Sequence, residues 1–384
     1  MGRNMEIKYP DYNNSLVNLV CSIQKYYNLK DIKHSTLPDV DKILQEKKPR
    51  NLVLMLFDAM GISILNRYSE QSPFLRSHII RPLTSTFPPT TVAATASVST
   101  GLTPLENGRL GWITYFKEVD KNVITFSNKI MNTDIPACDV HLANSILSYK
   151  SILEQISEAN PDVACTSIAP FNVMVNYPSV ISKSITESCD KVIELCKKEG
   201  QKNFIYSYWD KPDHVMHQVG IDCTELVAPI ITDIETNVKR ISESVDDDTL
   251  IFVIADHSQI NSKWLFLSDY PDLQKLLVRD HSIEFRAASF WVKEGKKEEF
   301  VKLFKKYFKD HFMLMTHKEF MESGLLGNGV PHPRSEGFVG DFIAISTDEY
   351  CLDDVRKDDV LVGVHAGITK EEMEVPLICI ESVH

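Results

Sequence analysis

The chain has 384 residues, 43% hydrophobic and 24% charged, with a formal net charge of −12. These proportions exclude intrinsic disorder, and the length allows one large α/β domain with an inserted subdomain. The acidic balance excludes a broad basic surface for a nucleic-acid polymer; it leaves room for a small phosphate substrate, because bound cations reverse the local field.

Residues 1–45 read as a helical N-terminal extension. SLVNLVCSIQKYY places Leu16, Val17, Val20, Ile23 and Tyr27 close to helical spacing. The N-terminus has no basic start leading into an apolar stretch and a small-residue cleavage site, and no run of about 18 apolar residues occurs, so neither a secretory signal nor a membrane partner is expected. Eight cysteines are scattered without a CxxC pair, read here as reduced thiols, and the expected location is cytoplasmic.

From residue 51 the texture is that of an α/β protein. NLVLMLFDAMG holds an apolar run from Leu52 to Phe57, too short for a helix and continuous like a buried parallel strand, and it ends in Asp58. NFIYSYWDKPDH and TLIFVIADHSQ repeat the pattern, and VACTSIAP is a shorter version. Helical stretches such as SILEQISEA and ELVAPIITDIETNVKRISESV lie between them. Strands alternating with helices predict a mostly parallel central sheet with helices on both faces. In such sheets polar site residues gather past the carboxyl ends of the strands. Within 262–345 the segments FRAASFWVKEG, KKEEFVKLFKKYFKDHF, MLMTHKEFMESGLLG and GFVGDFIAIST read as strand, helix, helix and strand. This region is expected to be an inserted smaller α+β cap, with the α/β core formed by 46–261 and 346–384.

Four segments could carry chemistry. In TSTFPPTTVAATASVSTG the Pro pair cannot continue a helix, whereas TTVAATASVSTG can, stopping at Gly101. Thr90 or Thr91 therefore sits at a helix N-terminus, where free backbone N–H groups and the dipole favour an anion. A threonine hydroxyl needs a base or a metal to act as a nucleophile, and its simplest role there is an N-cap. In WDKPDHVMHQVG, Asp213 and His217 are four apart, so one helical turn faces them the same way, with His214 pointing elsewhere; the plain alternative is a capping Asp. Asp256-His257 follows a fully apolar strand. His365 lies between Gly363 and Gly367, which permit close backbone approach. With Asp58 these give three carboxylates, three imidazoles and a hydroxyl. That mixture suits zinc, with manganese as the alternative, and it divides into two sites able to clamp an in-line phosphoryl displacement.

LVLMLFD, TTVAATASVSTG, DHVMH, IFVIADH and HAGITKEEMEVPL, in this order, resemble the alkaline phosphatase superfamily, in particular its type I phosphodiesterase/nucleotide pyrophosphatase branch. The likeness spans about residues 50–384, with the cap matching only loosely. It implies two divalent ions: one held by Asp213, His217 and His365, the other by Asp58, Asp256 and His257 with Thr91 Oγ beside it. It selects Thr91 over Thr90, since the family nucleophile lies nine residues before the Thr of TG, here Thr100. It implies hydrolysis of a small nucleotide-like phosphodiester or pyrophosphate through a phospho-threonine intermediate; a phosphomonoesterase or phosphomutase of the same superfamily is the alternative. Where the resemblance places an Asn that contacts phosphate, this chain has Ala94, so Asn107, Arg109 and Trp112 of ENGRLGWITYF are the candidate substrate contacts. No CxPxR segment is present, which argues against a formylglycine sulfatase.

Overall fold

The computed structural model describes residues 5–174 and 177–382. A central sheet of seven strands runs in the order Ile79–Thr84, Glu374–Glu381, Thr249–Ile254, Asn51–Phe57, Lys202–Trp209, Val163–Ala169, Ser179–Ile181. Glu374–Glu381 is antiparallel to both of its neighbours, and the five strands from Thr249–Ile254 to Ser179–Ile181 are mutually parallel. The three central strands are almost wholly buried, as their unbroken apolar runs require. Helices Leu16–Tyr26, Ile152–Ala159, Ile185–Cys196 and Thr224–Ser242 send apolar faces into the same core. The register pairs Phe57 with Trp209 and Leu56 with Ile254, so the chain leaves three adjacent strands at one edge.

Two boundaries differ from the sequence expectation. Residues 5–45 pack into the main core instead of standing apart from it: Leu16, Leu19, Val20 and Ile23 are fully buried there, and Gln24 Nε2 donates to Thr100 O at 3.0 Å, at the far end of helix Thr91–Thr100. Their apolar face has no other place to hide from water. Nor is the cap confined to 262–345. The second sheet takes Phe312–Thr316, Phe342–Ser346, Ala287–Phe290 and Ser282–Ile283 from that region and then continues into Ile113–Phe116, Lys121–Ile124 and Lys129–Ile130. The joining pair, Ile113 with Ile283, is far apart in sequence and leaves no local periodicity to read. Within the cap, FMLMT is a strand, not part of a helix. It pairs with Phe342–Ser346, and the helix begins only after Thr316, whose hydroxyl and Glu319 form a capping box.

The second sheet is fastened to the central one through Arg286 and Glu372, both fully buried. Arg286 Nε and Nη2 donate to the two carboxylate oxygens at 2.7 and 2.8 Å, and the same guanidinium caps the carbonyls of Asp348 and Tyr350. Glu372 also accepts from Gly367 N and Thr369 Oγ1, and its carbonyl accepts from Ser258 N. One ion pair therefore ties the cap to the loops bearing His257 and His365. A Cβ at Gly367 would come within 2.5 Å of Arg286 Nη2, and one at Gly363 within 2.4 Å of the Met216 carbonyl, so both positions require glycine for close approach. Arg286→Met, which strands the Glu372 carboxylate in the interior, is expected to lower the unfolding free energy by about 3–5 kcal/mol. The urea midpoint at unchanged m-value reads this; an unmoved midpoint would refute it.

Candidate active site

The fold brings six side chains able to ligate a metal to one place. Asp58, Asp256 and His257 form one group whose ligand atoms lie within 4.8 Å of one another, and Asp213, His217 and His365 form another. The two groups adjoin: the His257 and His365 rings stack at 3.9 Å, and those of His217 and His365 are 5.3 Å apart. Each imidazole is aimed by its Nδ1 atom, which faces a backbone carbonyl: Gly363 for His217 at 2.8 Å, Pro89 for His365 at 3.1 Å and Ser258 for His257 at 3.2 Å. This leaves Nε2 on all three rings turned toward the other side chains of the two groups and available to a cation.

Helix Thr91–Thr100 starts at the rim of this cluster, and its C-terminus closes on Gly101 in the left-handed conformation (φ 74°). Thr90 is the N-cap residue by backbone, yet its side chain makes no cap bond; it donates instead to Glu284 Oε1 at 2.6 Å. The plain N-cap role therefore fails for this hydroxyl. Thr91 Oγ1 lies 3.4 Å from Asp58 Oδ2 and 3.2 Å from His257 Nε2.

The electrostatics explain what the group is missing. Burial, then the charges of Asp256 and Asp213, push the Asp58 carboxyl well above the ordinary carboxylate range. Burial likewise raises Asp256. Asp213 is also desolvated, but His217, His365 and His257 outweigh that and hold it low. Burial alone would lower His217; Asp213 beside it, at 3.1 Å, lifts it to about 9 instead. Burial and the neighbouring His257 push His365 well below its usual value. Asp256 Oδ2 is buried with no hydrogen-bond partner. Three buried carboxylates, three oriented imidazoles and an orphaned carboxylate oxygen fit divalent cations, which neutralise the like charges and satisfy the lone pair.

A cavity of ≈ 410 Å³ opens onto the second group, with Thr90, Thr91, Trp112, Glu284 and Phe285 in its wall. His214 also lines it but belongs to neither ligand group. Of the expected substrate contacts, only Trp112 lines this cavity. Asn107 is buried elsewhere, with its Nδ2 turned to Ser97 Oγ and the Leu102 carbonyl and its Oδ1 held by Arg109 N. Arg109 points into a different cavity. Ala94 is fully buried within the main core, so a side chain there faces the sheet.

Three participants have little or no local signature. Tyr208 donates its hydroxyl to Asp58 Oδ2, and the alternation of NFIYSYW could have placed it beside Asp58. Gln259 donates to Asp213 Oδ1. Glu284 comes from the cap, and only the tertiary fold brings it here.

A mixed sheet whose strand ends gather two carboxylate–imidazole groups beside a helix-borne threonine defines a metal-dependent hydrolase of phosphoric esters. The sequence profile of the type I phosphodiesterase/nucleotide pyrophosphatase family matches residues 52–370, and the chain belongs to that family. No curated protein sequence matches it. Among solved structures, murine ectonucleotide pyrophosphatase/phosphodiesterase 5 shares the fold with a TM-score of 0.64 at 17% identity, over 85% of this chain and 87% of that one. Phosphonoacetate hydrolase from Sinorhizobium meliloti does so with a TM-score of 0.59 at 15% identity, over 86% and 90%.

Two outcomes follow for the metal-free protein. Adding Mn2+ or Zn2+ at a hundredfold excess over Kd is expected to stabilise it by about 2.7 kcal/mol per site, and Asp256→Asn to remove most of the gain in thermal unfolding. Because His217 holds its proton up to about pH 9 and must shed it to ligate, cation affinity should weaken as pH falls below 9. Calorimetry in buffers of differing ionisation enthalpy would detect the released proton.

Proposed function

We propose that this hydrolase uses Thr91 as its nucleophile and two divalent ions, zinc or alternatively manganese, to cleave a small nucleotide-like phosphodiester or pyrophosphate. The observation that carries the reading is the place of Thr91 Oγ1, within 3.5 Å of both Asp58 carboxylate oxygens and His257 Nε2, at the open N-terminus of a helix. Asp58, Asp256 and His257 would hold one ion, and Asp213, His217 and His365 the other. When bound, such ions lower the pKa of a hydroxyl and neutralise charge that develops on phosphoryl oxygens. The residues of the chain do the rest. Asp58 and His257 lie where the Thr91 proton must leave, and Tyr208 keeps the Asp58 carboxylate turned toward the hydroxyl. The first free N–H groups of the helix would donate to the non-bridging oxygens of a phosphate at Thr91; attack of Thr91 Oγ1 on phosphorus forms the new P–O bond as the bond to the leaving alkoxide or phosphate breaks, and water then attacks the phospho-threonine and releases the Thr91 hydroxyl.

Glu284 favours diesters over monoesters. Its carboxyl forms part of the cavity wall, and its Oε1 accepts from Thr90 Oγ1 and Trp112 N. Burial raises it to about 7, so above that pH it is an anion and repels a dianionic monoester more than a monoanionic diester. The half-exposed Trp112 ring offers a planar leaving group a surface to stack on. An inactive Thr-to-Ala variant of the murine protein, solved in complex with AMP, supports a nucleotide-like substrate. A cytoplasmic location belongs to the same proposal, supported by eight free cysteines.

Thr91→Ala is expected to lower kcat on bis-p-nitrophenyl phosphate by roughly a thousandfold or more with the metal content nearly unchanged. Retained turnover would move the nucleophile to Thr90. At pH 8, Glu284→Gln should raise the ratio of p-nitrophenyl phosphate to bis-p-nitrophenyl phosphate hydrolysis, and a ratio equal to wild type would remove Glu284 from specificity.

A further inference from the structure

We propose that the cavity on the other side of the nucleophile helix is a subsite for a second oxyanion, carried by the part of the substrate that departs from phosphorus. This rests on the reading of Thr91 as the reacting residue.

The cavity measures ≈ 300 Å³, and its wall includes Thr95, Arg109, Phe126, His141, Asn144 and Asn172. Among the described residues no carboxylate lines it, in a chain whose net charge is −12. Arg109 is its cation and is only 8% exposed. The other deeply buried guanidinium, Arg286, is neutralised by Glu372, but among the described residues no carboxylate stands against Arg109. The hydrogen bonds of its guanidinium to the described residues come from a single nitrogen: Nη2 donates to Ala143 O at 3.3 Å, Asn144 Oδ1 at 3.0 Å and Leu147 O at 3.4 Å. Nε is buried with no hydrogen-bond partner, and the guanidinium lies over the Tyr149 ring, 5.2 Å from its centroid. Burial accordingly pulls the guanidinium below the ordinary arginine range. A desolvated cation with idle donors is costly to keep, and an oxyanion entering the cavity satisfies both deficits, since guanidinium geometry matches phosphate and carboxylate bidentately.

The neutral groups agree. The carbonyl oxygen of Asn144 is taken by Arg109, and that of Asn172 by Ser179 N at 2.9 Å. This leaves both amide NH2 groups as donors, the polarity an anion needs.

The two cavities adjoin. Thr91 lines one and Val92 the other. Trp112 of the first and Phe126 of the second have ring centroids 5.6 Å apart. Thr95 lies one turn beyond Thr91, about 6 Å along the axis at 1.5 Å per residue. A substrate whose phosphorus sits at Thr91 would therefore reach the Arg109 cavity with an anionic group a few bonds further on. The class indicated is a small phosphodiester or anhydride bearing a second phosphate or a carboxylate.

The test uses the full chain loaded with Mn2+ and three aryl phosphodiesters whose leaving phenol is unsubstituted, carries a carboxylate or carries a second phosphate. Arg109→Gln should lower kcat/KM for the two anionic substrates by about tenfold or more and leave the unsubstituted one within about twofold; Arg109→Lys should recover part of the loss. The larger loss tells phosphate from carboxylate. Equal losses on all three, or none, would overturn the subsite. Asn172→Asp, at an exposed position, sets a carboxylate in the same wall and should act in the same direction if Arg109→Gln does not fold. If wild type hydrolyses none of the three, the proposed function falls instead. Calorimetry then tests the subsite separately: methylenebisphosphonate should bind wild type more tightly than methylphosphonate does, with the difference lost in Arg109→Gln, and equal binding would reject it.

Discussion

Mutual repulsion among three buried carboxylates is the constraint around which this protein is organised. Asp58, Asp213 and Asp256 leave neighbouring parallel strands at one edge of the sheet, and burial removes the water that would otherwise screen them. Such an arrangement is unfavourable in isolation and persists because the hydrophobic core behind it over-determines the strand positions. Three imidazoles placed around the carboxylates turn the same unfavourable field into a strong binding site for divalent cations. Stability is given up at the strand ends, and function is gained there.

The surrounding structure keeps that field aimed. Backbone carbonyls of Gly363, Pro89 and Ser258 fix the three rings, and the Arg286–Glu372 pair anchors two of the loops that bear them. The two deeply buried arginines contrast: Arg286 has its counter-charge in Glu372 and is a fastening, whereas among the described residues no carboxylate stands against Arg109, the basis of the proposed subsite.

The cap acts on the chemistry as well as covering it. Glu284 and Phe285 come from the second sheet and form one wall of the cavity over Thr91, while Trp112, next to Ile113–Phe116 of that sheet, forms another. The cavity wall over Thr91 thus comes from a layer separate from the strand ends that carry the two carboxylate–imidazole groups.

Local periodicity in the sequence determined the apolar strands, the acidic residues that terminate them and the helix that begins at Thr91, because burial on both faces and helix capping are enforced residue by residue. The order of the motifs singles out Asp58, Asp213, His217, Asp256, His257 and His365, which the fold gathers into two groups. Only the tertiary structure decided which polar groups face which cavity. The pairing of Ile113 with Ile283, the entry of Glu284 into the site, and the diversion of Asn107 and Arg109 away from Thr91 all depend on contacts between distant segments. No short window of sequence encodes such contacts, since each is the outcome of packing one layer on another.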